Sequence, residues 1–122
     1  MNSDITIIDS AVYPFNDEST IIEYKKINNR IYYHIWLYLG GVGALFVDNV
    51  IYNLHPSFRN PSRKIRRTIE NPNLCLQLWT WGIFEINVTI RYKDGRIFNL
   101  KHKMSYDKQI KSGLYEFKEV KG

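Results

Sequence analysis

Phe84-Glu85-Ile86-Asn87-Val88-Thr89-Ile90-Arg91-Tyr92, followed by Lys93-Asp94-Gly95 and then Arg96-Ile97-Phe98-Asn99-Leu100-Lys101-His102, is the stretch on which the fold turns. Phe84, Ile86, Val88, Ile90 and Tyr92 alternate with Glu85, Asn87, Thr89 and Arg91. A period of two places the first set on one face of a half-buried strand and the second on the other. Asp94-Gly95 is a pair that tolerates the positive φ angles of a type I′ turn. The chain is therefore expected to return over residues 96–102 as the second strand of a hairpin.

Working outward, residues 20–27, 31–39, 46–55 and 73–79 read as further strands, and residues 4–8 as an edge strand. In the fourth of these, Leu74, Leu76 and Leu78 share one face, opposite Cys75, Gln77 and Trp79. Gly40-Gly41-Val42-Gly43, Asn60-Pro61-Ser62 and Asn71-Pro72-Asn73 mark the breaks between strands. Tyr106, Ile110, Leu114 and Phe117 have helix-like spacing, interrupted at Gly113. Short strands with turn signals between them predict an all-β sandwich or small barrel. With 122 residues and no repeat or Gly/Ser linker, one domain over residues 1–122 is expected.

Composition narrows the function classes. The aromatic share is 15%, high for a globular chain, with nine tyrosines and three tryptophans that suit cores and binding faces alike. The single cysteine, Cys75, excludes an internal disulfide and a cysteine-based zinc site. No stretch approaches the roughly 20 apolar residues of a membrane helix. Met1-Asn2-Ser3-Asp4 carries no basic n-region, so a cytoplasmic protein is expected. Net charge is +5, concentrated in Arg59, Arg63, Lys64, Arg66 and Arg67 and in Lys101-His102-Lys103. Such clusters mark either an anionic partner or a solvated face.

Signals for catalysis are missing. The Gly40–Gly43 run lacks the spacing and the following helix of a phosphate loop. His34, His55 and His102 show no paired spacing, so no metal site is expected, and isolated histidines usually serve as hydrogen-bonded structural residues. His55 and Ser57 share a face on an extended chain, yet no nucleophile elbow or orienting acid accompanies them. The expectation is a non-enzyme with no cofactor and no catalytic residues.

A different constellation stands out. Leu54-His55-Pro56-Ser57-Phe58-Arg59-Asn60-Pro61 ends one strand, and Thr80-Trp81-Gly82-Ile83-Phe84-Glu85 opens another. Each sets an aromatic ring beside small or polar residues at a strand–loop junction, and Gly82 permits close backbone approach. Rings supply area while a hydroxyl and a backbone N–H fix orientation, which suits a flat, amide-like ligand. On composition alone, Phe58 and Trp81 read rather as plugs for the end of a sandwich, because aromatics in small domains usually pack.

At these residues the sequence resembles a YEATS domain of the prokaryotic branch. The resemblance rests on Leu54-His55-Pro56-Ser57-Phe58 with Asn60-Pro61 and Arg63, and on Trp81-Gly82-Ile83-Phe84-Glu85-Ile86. Tyr32-Tyr33-His34-Ile35-Trp36 upstream and Asp94-Gly95 with Leu100-Lys101-His102 downstream extend it over about residues 30–103. The resemblance implies an immunoglobulin-like β-sandwich that reads acylated lysine. It implies that Phe58 and Trp81 sandwich the acyl amide, that Ser57 and the Trp81 backbone N–H bond it, and that His55, Tyr32 and Gly82 line the pocket. The family's Gly-Trp-Gly is Thr80-Trp81-Gly82 here, Ile83 replaces an acidic residue, and Glu70-Asn71-Pro72-Asn73 replaces a Pro-Pro-aromatic stretch.

The expected function is thus a non-catalytic binding module for acylated lysine or a related acyl amide on a protein or peptide, within a bacterial signalling or conflict system. The alternatives are a protein–protein assembly module with no small ligand, and a nucleic-acid binder using the basic run 59–67. No membrane partner is expected.

Overall fold

Alternation of apolar and polar residues at a period of two recurs along most of the chain, and in the computed structural model these stretches pair into two sheets. The structure describes residues 4–121. Among the described residues nine strands form: β1 (Thr6–Ser10), β2 (Ile21–Ile27), β3 (Arg30–Gly40), β4 (Val47–Asn53), β5 (Ser62–Arg66), β6 (Leu76–Thr80), β7 (Glu85–Tyr92), β8 (Ile97–Lys103) and β9 (Glu116–Glu119). One helix, α1 (Asp107–Lys111), precedes β9. One sheet runs β1-β3-β2-β9, with β6 also on β3; the other runs β5-β4-β7-β8. Among the described residues, no helix is long and apolar enough to cross a membrane.

The chain falls into two compact units. Of the described residues, the first holds 4–8, 38–76 and 84–104 and carries the β5-β4-β7-β8 sheet. Its strands are antiparallel, with Val50 opposite Ile90, Tyr52 opposite Val88, and Val88 opposite Leu100. Val50, Tyr52, Ile86, Val88 and Ile90 are buried, so the expected even-numbered face of β7 is the inward one. Tyr52 keeps its polar tip inside by donating a 2.7 Å hydrogen bond to the carbonyl of Leu74, and burial pushes its phenol far up from the usual range.

The β7–β8 hairpin forms where expected, but its turn is of another kind. Asp94 has no positive φ; only Gly95 does, at 94°, and the Gly95 N–H bonds back to Tyr92. A turn over Tyr92–Gly95 closed by a left-handed glycine is a three-residue loop with a bulge, not the expected type I′ pair. Asp94 favours it by accepting from the Arg96 N–H at 3.0 Å, which holds its carboxyl below the usual range. The two-residue turn lies elsewhere: Asn28 and Asn29, at φ 51° and 65°, join β2 to β3 where Ile27 pairs with Arg30. Asparagine visits the left-handed region more readily than most residues, which is why this pair can close a tight hairpin.

The second unit holds residues 9–37, 77–83 and 105–121. Its β2 pairs antiparallel with β3 and parallel with β9. Asp9 anchors the tail of the chain, its Oδ2 accepting from the N–H groups of Ser105 (2.7 Å) and Tyr106 (2.8 Å). The helix-like spacing from Tyr106 to Phe117 yields only α1. Gly113 adopts φ 76° just past the helix, a conformation that ends helices, and the chain continues as β9.

The strands β5 and β9 were not read from the sequence, which showed a break and a basic run at one and a helix-like spacing interrupted at Gly113 at the other. Each lies at a sheet edge, and β9 is exposed along its whole length. An edge strand with little to bury carries no apolar alternation to read, and charges along it discourage pairing with other chains. Gly40–Gly43 is a turn as expected, with Gly41 at φ 93° entering a short 3-10 turn over Val42–Phe46.

Between β5 and β6, the Asn71 side chain clamps Cys75 twice, at 2.9 Å to its N–H and 2.9 Å to its carbonyl. Burial pushes the Cys75 thiol up to about 11. The unfolded thiol ionises first, near 8.5, so stability falls as pH rises from there towards about 11. Alkylation of the native chain by iodoacetamide is expected to keep accelerating up to about pH 11. A plateau near pH 9 would instead show an ordinary thiol.

Candidate functional site

The residues singled out from the sequence form one cluster in each unit. In the first unit the loop after β4 is closed by the Leu54 N–H on the Pro61 carbonyl at 2.8 Å. The Phe58 N–H bonds the His55 carbonyl at 3.0 Å, so residues 55–58 make a tight turn with Pro56 at its second position, where a locked φ is favourable. Asn60 adopts φ 53°. The Arg63 guanidinium donates to the carbonyls of Asn60 (2.5 Å) and Arg59 (2.7 Å), which holds the far side of the loop.

Within that turn His55 Nδ1 lies 2.8 Å from Ser57 Oγ and accepts from the Ser57 N–H at 3.1 Å. An amide N–H can only donate, so Nδ1 carries the lone pair and the neutral ring bears its proton on Nε2. The Ser57 hydroxyl hydrogen then also turns toward Nδ1. Its oxygen lone pairs point away from the ring, ready to accept from an N–H such as that of an amide. His55 stacks on Phe84 with centroids 5.0 Å apart, and Phe58 meets Phe84 edge-on at 5.6 Å. Phe84 was not among the residues picked from the sequence. Its signal was present: it continues the inward even-numbered series of β7 one step beyond the strand.

In the second unit Tyr32, on β3, meets Trp81 edge-on at 5.6 Å, and the Arg30 guanidinium lies over the Trp81 ring at 5.1 Å. Arg30 carried no sequence signal of this role. Trp81 is 36% exposed although it follows directly on buried Thr80. Thr80 replaces a family glycine without strain, because it ends β6 and has no positive φ. Its hydroxyl donates to the Gly82 carbonyl at 3.2 Å, and the Tyr106 hydroxyl donates to that carbonyl at 2.7 Å. The two bonds fix the backbone on the C-terminal side of Trp81, and burial raises the Tyr106 phenol. Tyr32, Trp81 and Gly82 are thus brought together in this unit, as His55, Ser57 and Phe58 are in the other.

The second unit also has features that the sequence did not suggest. His34 is stacked between Trp36 (4.0 Å) and Trp79 (4.8 Å), with Lys25 over Trp79 at 4.2 Å. Its ring nitrogens meet Glu23 and Gln77, each at 2.9 Å, the hydrogen-bonded structural role expected of an isolated histidine. Tyr13 and Trp36, with Glu18, Glu23 and Lys118, line a groove of about 410 Å³ that includes none of the sequence-picked residues. No group of three or more metal-ligating side chains occurs among the described residues.

Comparison with known proteins places this geometry. A family profile described as the prokaryotic YEATS domain matches residues 33–105, more than half of the chain. A 51-residue stretch is 45% identical to transcription initiation factor TFIID subunit 14 of Schizosaccharomyces pombe. That stretch is 42% of this chain and 20% of the relative, so the chain spans only about a fifth of it. Among solved structures, the Yaf9 YEATS domain recognising the H3K122suc peptide is similar with a TM-score of 0.53 and 19% identity. The likeness covers 83% of this chain and 71% of that one. The Yaf9 YEATS domain bound to H3K27ac gives a TM-score of 0.52 at 17% identity, covering 83% and 75%. At such identity the likeness shows the fold, and with the two sheets it agrees with the all-β sandwich read from the sequence.

Proposed function

The chain belongs to the prokaryotic YEATS domain family, and we propose that it is a non-catalytic binding module for an acylated lysine or a related flat acyl amide on a protein partner. The observation that carries this reading is the His55–Ser57 pair. Both donors of Ser57 are directed at one imidazole nitrogen, which leaves the hydroxyl oxygen as an acceptor for an amide N–H. Phe58 supplies apolar area beside it. Trp81 supplies a partly exposed ring and a backbone N–H that suits the acyl carbonyl, with Gly82 beside it and Tyr32 against the ring. Each cluster offers apolar area and a few oriented polar groups, which suits holding an amide with no covalent step. Support also comes from the similar Yaf9 structures, one recognising an H3K122suc peptide and one bound to H3K27ac. On this reading the module works in the cytoplasm, in a bacterial signalling or conflict system, with an acylated protein as partner; the match to the prokaryotic family supports the prokaryotic part of it.

The test is a titration of isotope-labelled chain with acetyl-lysine and crotonyl-lysine peptides. Saturable shifts of the Ser57 and Trp81 amides are expected, with none from the unmodified peptide. Ser57→Ala removes one hydrogen bond to the ligand and is expected to weaken binding about fivefold to twentyfold, equivalent to about 1–2 kcal/mol. Absence of a saturable shift across both acylated peptides overturns the reading.

A further inference from the structure

The two basic clusters are forty residues apart in the sequence, and the register of the β5-β4-β7-β8 sheet brings them onto one surface. On β5, Lys64 pairs with Ile51 and Arg66 with Asn49; on β7, Arg91 pairs with Asn49 and with Ile97. On β8, Lys101 pairs with Asn87 and Lys103 with Glu85. The side chains of β7 that face the core are the even-numbered ones, so this odd-numbered set and its cross-strand partners form the opposite face. Lys64, Arg66, Arg91, Lys101 and Lys103 are all exposed. Five cations thus share a face with Glu85 and with Asp48, whose carboxylate accepts from the Asn49 side chain at 2.8 Å, a surplus of three in a chain whose net charge is +5.

The other arginines of the basic run have different tasks. Arg63 bonds the Asn60 and Arg59 carbonyls, and Arg67 bonds those of Val47, Pro72 and Ala44. The sheet therefore sorts the run into residues that hold loops and residues that face water.

We propose that this face binds a nucleic-acid duplex through its phosphate backbone. Charge is the first argument: β5 and β8 lie three strand spacings apart, so cations flank the sheet at about 14 Å with Arg91 between them. Side-chain type is the second. Between the cations stand Asn53, Asn87 and Asn99, amides suited to sugar and phosphate oxygens and to base edges. The face carries no aromatic ring, so it lacks the stacking platform that single strands use. Apolar side chains are confined to half-buried Ile51 and exposed Ile97, too few to anchor the sheet in a lipid interface.

The test uses the full chain and a 20-base-pair DNA duplex. Affinity is expected to fall with salt at a log–log slope of about −3 to −4, close to a hundredfold between 50 and 200 mM. The double substitution Lys64→Glu with Lys101→Glu is expected to weaken binding at least tenfold. Lys26→Glu with Lys108→Glu makes the same change in net charge on exposed lysines of the second unit, and is expected to change binding less than twofold. Equal losses from both doubles overturn the proposal, since bulk charge would explain them. So does a single strand that binds more tightly than the duplex, or binding to anionic phospholipid vesicles without binding to duplex. Acyl-peptide titration of the Lys64→Glu/Lys101→Glu chain is expected to be unchanged, which separates this face from the proposed acyl-amide reading.

Discussion

Trp81→Ala is expected to weaken acyl-lysine peptide binding by about thirtyfold or more while lowering the melting temperature by only a few degrees. The indole is partly exposed, with Tyr32 against its edge and Arg30 over its ring, so its removal opens no cavity in the apolar core. A ring stacked on a flat ligand contributes area and a directional contact, and truncation of such an anchor costs about 2–3 kcal/mol. That figure converts to about thirtyfold to more than a hundredfold in affinity. Trp81→Phe retains a ring and is expected to lose only a fraction of this. Unchanged binding by Trp81→Ala, measured by calorimetry beside its thermal melt, would remove the indole from the site.

The second large effect falls on stability. Leu74 is fully buried and also sits at φ 52°, where a side chain with a Cβ is strained by about 1–2 kcal/mol. Burial of the leucine side chain outweighs that strain, since burying it fully contributes about 1.5–3 kcal/mol and the packing around it adds to this. The carbonyl of the same residue accepts the buried Tyr52 hydroxyl, so the strained backbone also satisfies a core polar group. Leu74→Ala keeps the strain and loses the packing, and is expected to destabilise by about 3 kcal/mol, on the order of 10 °C in melting temperature. Leu74→Gly loses the same packing but relieves the strain, so it is expected to be no worse than alanine, the reverse of the usual order. A glycine variant clearly less stable than the alanine variant, by denaturant titration, would show that the left-handed backbone carries no strain.

How far each feature could be read depended on how local its cause is. The β7–β8 hairpin was legible because its strands bury one face each, and period-two burial is written directly into the residue order. Its turn was misread because Asp94-Gly95 fits two loop types. Which one forms depends on how the flanking strands pair, and here Tyr92 takes its partner from Arg96. Leu74, Leu76 and Leu78 are all buried, as the alternation suggested, yet nothing local announced that Leu74 enters the left-handed region. In the tail, side-chain spacing suited a helix interrupted at Gly113, and α1 does end at Lys111 before the left-handed Gly113; what the spacing did not announce was β9.

The site followed the same division. His55-Pro56-Ser57-Phe58 makes its turn and its His–Ser hydrogen bonds within four residues, so sequence order alone was enough to find it. Phe84, Arg30 and the Tyr106 hydroxyl reach their places from distant segments.

By itself, then, the order of residues determined the strands with a buried face, the His55–Phe58 turn and the family to which the chain belongs. The strands and the turn depend on alternation and proline at short range, and the family on the resemblance of the ordered motifs from Tyr32 to His102. Only the tertiary structure decided the edge strands β5 and β9, the placing of Phe84 against His55 and Phe58, and the gathering of Lys64, Arg66, Arg91, Lys101 and Lys103 on one face. Strand register acts across long stretches of chain, and side chains that face water leave no hydrophobic pattern from which to infer it.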